Sequence, residues 1–212
     1  MTFNIEKPKA VSRIAVQDDP GILADNLKQL CEKAERGGAM DTIVIDADQV
    51  VFSSSIRERV NADDGYPSVH WPLLYPKDDI VEAIRAYQYG VFFRISPPPG
   101  MPACGGGPID DIRYRNSYVR LYNLVTMIES ACFYNGYHLA MGLASGNCRS
   151  VLCSDEKRCW PMLKGKTCIY PNKGRPSMEA AGIDALAMAG HAGWHLNENN
   201  REALLAGLVM VT

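Results

Sequence analysis

The sequence contains no apolar run long enough to cross a membrane. A spanning helix needs about 18–20 mostly apolar residues, and no stretch of the chain approaches that length. The first residues, Met1 to Lys7, also lack the apolar stretch of a secretory signal. The formal net charge is −2 with both signs mixed, unlike the strongly basic balance of nucleic-acid-binding proteins. We therefore expect a cytoplasmic protein that binds neither membranes nor nucleic acids.

Several motifs of nucleotide-dependent and metal-dependent enzymes are missing as well. The sequence has no Walker loop, no Rossmann glycine fingerprint, no His-Glu-x-x-His and no Cys-x3-Cys-x2-Cys run of the radical enzymes. A nucleotide cofactor is therefore unsupported, and whether the protein is an enzyme stays open. No repeat, linker or low-complexity segment divides the 212 residues, so we predict one domain over residues 1–212.

Hydrophobic periodicity predicts alternating helices and short strands. Helices are expected over 20–36 and 111–135, after Asp78, at Pro176 or Ser177, and from Asp184 to Ala189. Runs of β-branched and aromatic residues predict strands at 42–46, 49–53, 91–95, 137–143 and 205–211. This order favours an α/β (or α+β) fold, a single domain whose small central sheet is flanked by helices.

Cysteine, in contrast, is concentrated in one place. Four of the seven cysteines lie within one short segment: Cys148, Cys153, Cys159 and Cys168. Around them, residues 144–176 have few apolar side chains and turn-forming residues at both ends, so we predict a cysteine-rich loop. A loop this long is uncommon unless a function, a ligand or a cross-link holds it. In a reducing compartment such a cluster favours metal binding or chemistry over disulfides.

The four cysteines are the candidate ligands of one inorganic centre. Their spacings, Cys-x4-Cys, Cys-x5-Cys and Cys-x8-Cys, match neither zinc ribbons nor the bacterial ferredoxin run. Thiolates are soft ligands that suit an iron–sulfur cluster or zinc, and nearby cations would offset their charge: Lys157, Arg158, Lys164 and Lys166. We expect a [4Fe–4S] cluster, with Zn²⁺ as the alternative. The remaining interpretation is a surface loop that carries reduced cysteines without metal.

From Cys148 onward the sequence resembles a family of predicted metal-binding proteins, the domain of unknown function 2284. The resemblance rests on the cysteine run, on Tyr170-Pro171 and on the stretch Arg-Pro-Ser-Met-Glu-Ala-Ala-Gly-Ile-Asp at residues 175–184. Trp71 and the helix after it extend it to about residues 40–212. The resemblance implies a metal or iron–sulfur centre held by the cysteine run, without an established reaction.

Two departures from the family pattern bear on the number of centres. Cysteines of the family usually stand closer together, near Cys-x2-Cys, so the intervening loops are longer here. The family also tends to carry Trp-x-Cys-Pro-Pro, whereas this sequence has no cysteine between Trp71 and Pro76. We therefore expect one centre.

The family stretch also has a local interpretation as the start of a helix. Pro176 and Ser177 are residue types that begin helices, and a helix N-terminus favours negative charge, such as a thiolate cluster. Arg175 would then pair with a substrate carboxylate or with Glu179. A plain helix start and a surface salt bridge explain these residues equally well.

Other reactive residues are weaker candidates. His191 and His195 are four residues apart, but Gly193 between them argues against one continuous helix. His70 and Cys104 lie in loop-like sequence, and participation of any of these four in a site stays open. Cys31 and Cys132, and a row of tyrosines, fall on apolar helix faces and are expected in the core: Tyr114, Tyr118, Tyr122, Tyr134 and Tyr137.

The sequence therefore predicts an iron–sulfur ([4Fe–4S]) cluster-binding protein. Its role would be electron transfer or cluster-assisted chemistry on a small molecule. The alternative is a structural zinc-binding accessory or interaction protein, and a third is an enzyme in which Cys104 or His70 acts apart from the loop. The expected partners are a redox partner protein or a small-molecule substrate, with homo-oligomerisation left open.

Overall fold

A four-stranded antiparallel sheet forms the centre of the fold. The structure, a computed structural model, describes residues 19–56, 58, 77–101, 111–156, 159–162, 166–194 and 203–212. The strands pair in the order β1-β2-β4-β3. Their bounds are β1 (Asp41–Asp46), β2 (Tyr89–Ile95), β3 (Met141–Leu143) and β4 (Leu205–Met210). The predicted class with a small central sheet is confirmed, and the antiparallel pairing corresponds to its α+β form.

Helices lie before, between and after the strands. They are α1 (Pro20–Arg36), α2 (Lys77–Arg85), α3 (Ile112–Tyr134), α4 (Cys148–Leu152) and α5 (Ala185–His191), with 3₁₀ turns at Ala47–Gln49 and Trp160–Met162. Within the part of the chain that the structure describes, no helix combines the length and apolarity that crossing a membrane would need.

Side-chain caps explain where three of the helices begin. The carboxylate of Asp19 accepts the N–H of Gly21 at 2.7 Å, and Asp111 accepts the N–H of Arg113 at 2.8 Å. Asp184 caps α5 in the same way, as expected. A carboxylate at the N-cap satisfies an amide that has no partner inside the helix. The predicted bounds of α1 and α3 are therefore confirmed to within a residue.

Three sequence-based expectations differ at element ends. Residues 49–53 do not form a strand; Phe52 makes only an isolated bridge to Ile183. The strand expected at 137–143 is shortened, because a turn brings the N–H of Ala140 to the carbonyl of Tyr137. Asp78 lies inside the second helix rather than before it, since α2 begins at Lys77.

The helix expected at Pro176 or Ser177 is also replaced. The N–H of Ala144 donates to the carbonyl of Pro176 at 2.9 Å, and the N–H of Met178 donates to the carbonyl of Ala144 at 2.7 Å. These bonds form a parallel bridge between Ala144 and Ser177. After the bridge the Ser177 hydroxyl accepts the N–H of Ala180 at 3.1 Å, and the chain continues through turns up to Ile183.

The sheet is buried on both faces. Val91, Phe93 and Ile95 of β2 join one core cluster with α1 and α3. The alternate residue Phe92 joins a second cluster with α2, α5 and Ile183 on the opposite face. Strand β4 alternates in the same way and is buried along its whole length. Burial on both faces explains the nearly continuous apolar sequence of these strands.

Helix α3 approaches the sheet closely because two strand positions are glycines. A Cβ at Gly207 would stand 2.7 Å from the Phe93 ring and 2.9 Å from a methyl of Val125. A Cβ at Gly142 would stand 2.6 Å from the other methyl of Val125. The helix therefore packs directly on the backbone of β3 and β4.

Candidate metal centre

The cysteine-rich loop leaves and rejoins the domain at one point. The bridge between Ala144 and Ser177 joins its two ends, and just inside it the Tyr122 hydroxyl donates to the carbonyl of Gly146 at 3.0 Å. Gly146 has φ +75°, and a Cβ there would stand 2.8 Å from the Tyr118 ring, so a larger residue does not fit. A loop with fixed ends loses less conformational entropy when its thiols gather on a ligand.

Glu179, which belongs to the stretch at residues 175–184, lies at the base of the loop, where the bridge between Ala144 and Ser177 joins its two ends. Its carboxylate accepts a weak hydrogen bond from the N–H of Gly146 at 3.4 Å. Burial raises the pKa of Glu179, while hydrogen bonds from Gly146, Ser177 and Ser145 act in the opposite direction. Burial first, and the charge of Glu179 second, raise the pKa of the Tyr118 hydroxyl. Glu179 therefore helps to hold the start of the loop.

Cys148 is the most buried of the four predicted ligands. It is the first residue of α4, which Asn147 caps by accepting the N–H of Arg149 at 2.9 Å. Its side chain is 3% exposed and belongs to the core cluster that contains Tyr122 and Val151. Burial, and then the charge of Cys148, raise the pKa of Tyr122 well above its usual value. Cys148 thus lies where the loop meets the core.

Cys153, Cys159 and Cys168 are half-buried thiols further along the loop. The pKa of Cys153 is raised to about 11, first by burial and then by the charges of Cys168 and Cys159. Such an effect acts between groups that are near one another. The structure therefore places three of the predicted ligands in one neighbourhood, and their ligation of a metal stays a prediction.

Local contacts brace the loop between these thiols. Cys153 ends α4 and donates its N–H to the carbonyl of Arg149 at 2.8 Å. The indole N–H of Trp160 donates to the Glu156 carboxylate at 3.0 Å. The Lys166 ammonium lies 5.4 Å from the centre of the Trp160 ring, within the range of a cation–π contact. The loop is therefore organised by its own side chains as well as by its closed base.

Two cations and a backbone amide favour the thiolate forms. Burial raises the pKa of Cys168, while the N–H of Tyr170, 3.2 Å from its sulfur, and the charge of Arg175 lower it. Arg149 likewise lowers the pKa of Cys153 against the larger opposing effects. Positive charge close to sulfur is what a centre with several thiolates requires.

Arg175 pairs with a residue that the sequence did not indicate. Glu179, one of the alternative partners considered for Arg175, is not the residue it pairs with: the Arg175 guanidinium binds Glu129 on α3 through Nε at 2.7 Å and also through Nη2. The reason is geometric, because Glu179 faces the N–H of Gly146 at the loop base. Glu129 and Arg175 are both largely buried.

The donor set fits a thiophilic metal, although the sulfur atoms are not assembled as a finished site. Across the described residues, no three His, Cys, Asp or Glu side chains form a group that could hold a metal ion. The six described cysteines are all thiols. Soft thiol donors on one closed loop, with cations beside them, suit iron–sulfur or zinc rather than magnesium or calcium. Coordination would draw the sulfurs closer and remove their protons.

Several candidates named from the sequence lie outside the described residues. These are His70, Trp71, Cys104 and His195, together with the cations Lys157, Arg158 and Lys164. His191 is exposed at the end of α5, as expected for a helix-terminal histidine. Cys132 is fully buried in the core and Cys31 packs half-buried against it, as expected. Tyr114, Tyr118, Tyr122 and Tyr137 are buried, whereas Tyr134 is 86% exposed.

Sequence reasoning missed Arg149 and Glu129 as residues of this region. Arg149 lies in α4, four positions before Cys153, which follows the helix as its C-cap and donates its N–H to the Arg149 carbonyl. Glu129 shares the apolar face of α3 with buried residues such as Cys132. A carboxylate on a buried helix face requires a partner, and that requirement is the signal that would have found the ion pair with Arg175.

A cysteine-rich loop with joined ends on a small α+β domain offers thiol groups as candidate metal ligands. The family model for predicted metal-binding proteins, DUF2284, matches residues 44–211. The match covers most of the chain, so the protein belongs to this family of predicted metal-binding proteins, in agreement with the resemblance seen in the sequence. None of the curated proteins and none of the solved structures matches the chain.

Proposed function

We propose that the protein binds a [4Fe–4S] cluster through the thiolates of Cys148, Cys153, Cys159 and Cys168. The observation that carries this proposal is that the four cysteines lie on one loop, whose ends are joined by the bridge between Ala144 and Ser177. Membership of a family of predicted metal-binding proteins supports a metal of some kind. Cys148 would be the ligand nearest the core, next to Tyr122.

The surroundings of the loop favour a cluster that is accessible from outside. Three of the four thiols are half-buried, so a cluster there would lie near the surface, where a redox partner protein or a small molecule can approach. Arg149 and Arg175 would offset the negative charge of the thiolates. A bound cluster would supply one-electron transfer or Lewis acidity. We therefore propose electron transfer or cluster-assisted chemistry on a small molecule, in the cytoplasm.

The second candidate is a structural Zn²⁺ site in an accessory protein. The feature that favours it is the architecture of the loop: its ends are already joined, and none of its described residues from 153 to 175 belongs to a buried core cluster. Tetrahedral zinc held by four thiolates commonly closes such segments. In this case the metal would order the loop without reacting.

Anaerobic purification of the full chain distinguishes the two candidates. A [4Fe–4S] protein will be brown, absorb broadly near roughly 400 nm, bleach with dithionite, and contain about four iron and four sulfide per chain. A colourless protein with about one zinc per chain contradicts the cluster and supports the structural site. Protein without metal, which also takes up neither iron with sulfide nor Zn²⁺, contradicts both.

Replacing Cys153 with serine tests the ligand set. We expect Cys153→Ser to lose most of its metal, because serine oxygen is a poor ligand for soft metals. Cys31→Ser is the matched control: it removes a half-buried thiol from α1 and should retain wild-type metal content. Metal content and absorption are measured on both proteins after anaerobic purification. Stoichiometric metal in Cys153→Ser would remove Cys153 from the ligand set.

A further inference from the structure

Arg175 lies where the cysteine-rich loop returns to the domain, and all three nitrogens of its guanidinium donate hydrogen bonds. Nε and Nη2 both donate to Oε2 of Glu129. Nη1 donates to the carbonyls of Gly174 at 3.1 Å and Pro171 at 3.3 Å. One side chain therefore binds a helix on one side and the backbone of the returning chain on the other.

Glu129 anchors this arginine to the rigid part of the fold. Its second oxygen, Oε1, accepts the N–H of Gly142 in β3 at 3.0 Å. Side-chain exposure is 16% for Arg175 and 20% for Glu129, so the pair is largely shielded from water. A charge-assisted pair in such a place is stronger and more directional than an exposed one. The pair ties α3, β3 and the end of the loop together.

The segment held in this way carries Cys168. The N–H groups of Lys173 and Gly174 both donate to the carbonyl of Tyr170, at 3.1 Å and 2.8 Å, and form a tight turn. The N–H of Tyr170 donates to the sulfur of Cys168 at 3.2 Å. Arg175 donates hydrogen bonds to the carbonyls of Pro171 and Gly174 in the same turn. A connected path of hydrogen bonds thus runs from Glu129 to Cys168.

We propose that Arg175 is a positioning residue of the metal centre: anchored by Glu129, it holds the turn at residues 170–174 so that the Cys168 sulfur faces the other thiols. This inference rests on the proposed function, because it assigns a role toward the same centre. Arginine suits the task because its planar fork binds a carboxylate and backbone carbonyls at once. Lysine carries the charge but cannot reproduce this geometry.

The test compares metal affinity with stability in variants of the full chain. Arg175→Met, Arg175→Lys and Glu129→Gln are prepared as reduced apo-proteins, and Zn²⁺ affinity is measured by competition with a chromophoric chelator. Loss of a residue that orients a ligand typically lowers metal affinity about 10-fold to 100-fold. We expect a loss in this range for Arg175→Met, most of that loss for Arg175→Lys, and a smaller loss for Glu129→Gln, which retains its acceptor oxygen.

Arg94→Met is the matched control. Arg94 pairs with Asp41 through Nε at 2.5 Å and is 14% exposed, but it joins β1 and β2 rather than the loop. Denaturation of the apo-proteins shows how much stability each variant loses. We expect Arg94→Met and Arg175→Met to lose similar stability, while only Arg175→Met loses Zn²⁺ affinity.

Each outcome decides for or against the positioning role. Wild-type affinity in Arg175→Met, or equal loss of affinity in Arg94→Met, overturns it. Full affinity in Arg175→Lys also overturns it, since charge alone would then suffice. Should Arg175→Met not fold, Arg175→Lys and Glu129→Gln carry the same comparison. If the wild-type protein itself binds no metal, the proposed function fails instead, which is a separate result.

Discussion

At the scale of single residues, two cysteines show how surroundings set the chemistry of a thiol. Burial, followed by the charge of Glu129, raises the pKa of Cys132 to about 12. Cys153 reaches about 11 through burial and through the charges of Cys168 and Cys159. The first thiol is closed inside the core, whereas the second is half-buried on the cysteine-rich loop. The same residue type therefore packs inside the core in one place and lies beside other thiols on the loop in the other.

Cys132 leads to a prediction about stability at high pH. In the folded chain its thiol keeps its proton up to about pH 12, whereas its ordinary pKa is 9.0. Below pH 9.0 the Cys132 thiol is protonated in both the folded and the unfolded chain, so it adds no pH dependence to the stability. As the pH rises above that value only the unfolded chain loses the proton, so stability falls. At pH 10 this effect amounts to about 1.4 kcal/mol.

Denaturant unfolding of reduced apo-protein at pH 8 and pH 10 measures this effect. The wild type should lose about 1.4 kcal/mol more between the two pH values than Cys132→Ala, in which no thiol titrates at this position. Cys132→Ala will be less stable at both pH values because it leaves a cavity, so the comparison uses the difference between pH values. Equal pH dependence in the two proteins would contradict the assignment.

At the scale of elements, the contact between α3 and the sheet depends on Gly207. An added methyl would collide with the Phe93 ring and Val125, both of which lie within 2.9 Å of where its carbon would stand and belong to the core. We expect Gly207→Ala to lose about 1–3 kcal/mol of stability, the usual cost of overpacking. Denaturant unfolding of the apo-protein measures the change.

Gly190 provides the control of opposite sign. It lies inside α5, and no described atom is within 4 Å of where its Cβ would stand. Alanine is favoured over glycine in a helix by roughly 0.5–1 kcal/mol, so Gly190→Ala should stabilise the protein. If both alanine variants shift stability in the same direction, the close approach of α3 at Gly207 is not what limits that position.

The elements that sequence predicted best are those whose signals are local. Helices α1 and α3 carry a cap and an apolar period within their own residues, and β2 and β4 are short apolar runs. The prediction failed where distant backbone decides, as at Ser177, which bridges to Ala144 instead of starting a helix. Propensity cannot reveal such a bridge, because its partner lies across the loop.

The same distinction applies to the candidate site. Clustering along the chain was enough to single out the four cysteines, since a loop has to bring its own residues near one another. It did not separate Cys148, which is buried in the core, from the three half-buried thiols. The sequence also did not predict the ion pair of Arg175 with Glu129, because the two residues are 46 positions apart in the chain.

At the scale of the whole molecule, the core is built without the described residues of the loop from 153 to 175. The two buried clusters cover both faces of the sheet, and their members include Cys148 but none of the three half-buried thiols. Metal-dependent miniature domains unfold without their metal because they have little other core. Here the described helices and strands have a core of their own, so the fold should survive removal of the metal.

This separation predicts the effect of demetallation. We expect the reduced apo-protein to keep its far-UV circular dichroism and cooperative unfolding, while hydrogen exchange becomes faster in residues 153–156 and 166–175. Saturating Zn²⁺ at 100 times Kd should add about 2.7 kcal/mol of stability. Loss of cooperative unfolding in the apo-protein, or faster exchange throughout the sheet, would show that the metal holds the whole domain.

Strand β4 occupies an interior position in the sheet, between β2 and β3, yet its residues follow those of every other strand in the chain. A ribosome therefore releases β2 and β3 before it has made the strand that lies between them. Pairings between segments so far apart in sequence form slowly. Until residues 205–210 emerge, β2 has an open edge that other chains can pair with, so the protein's yield should depend on chaperones during synthesis.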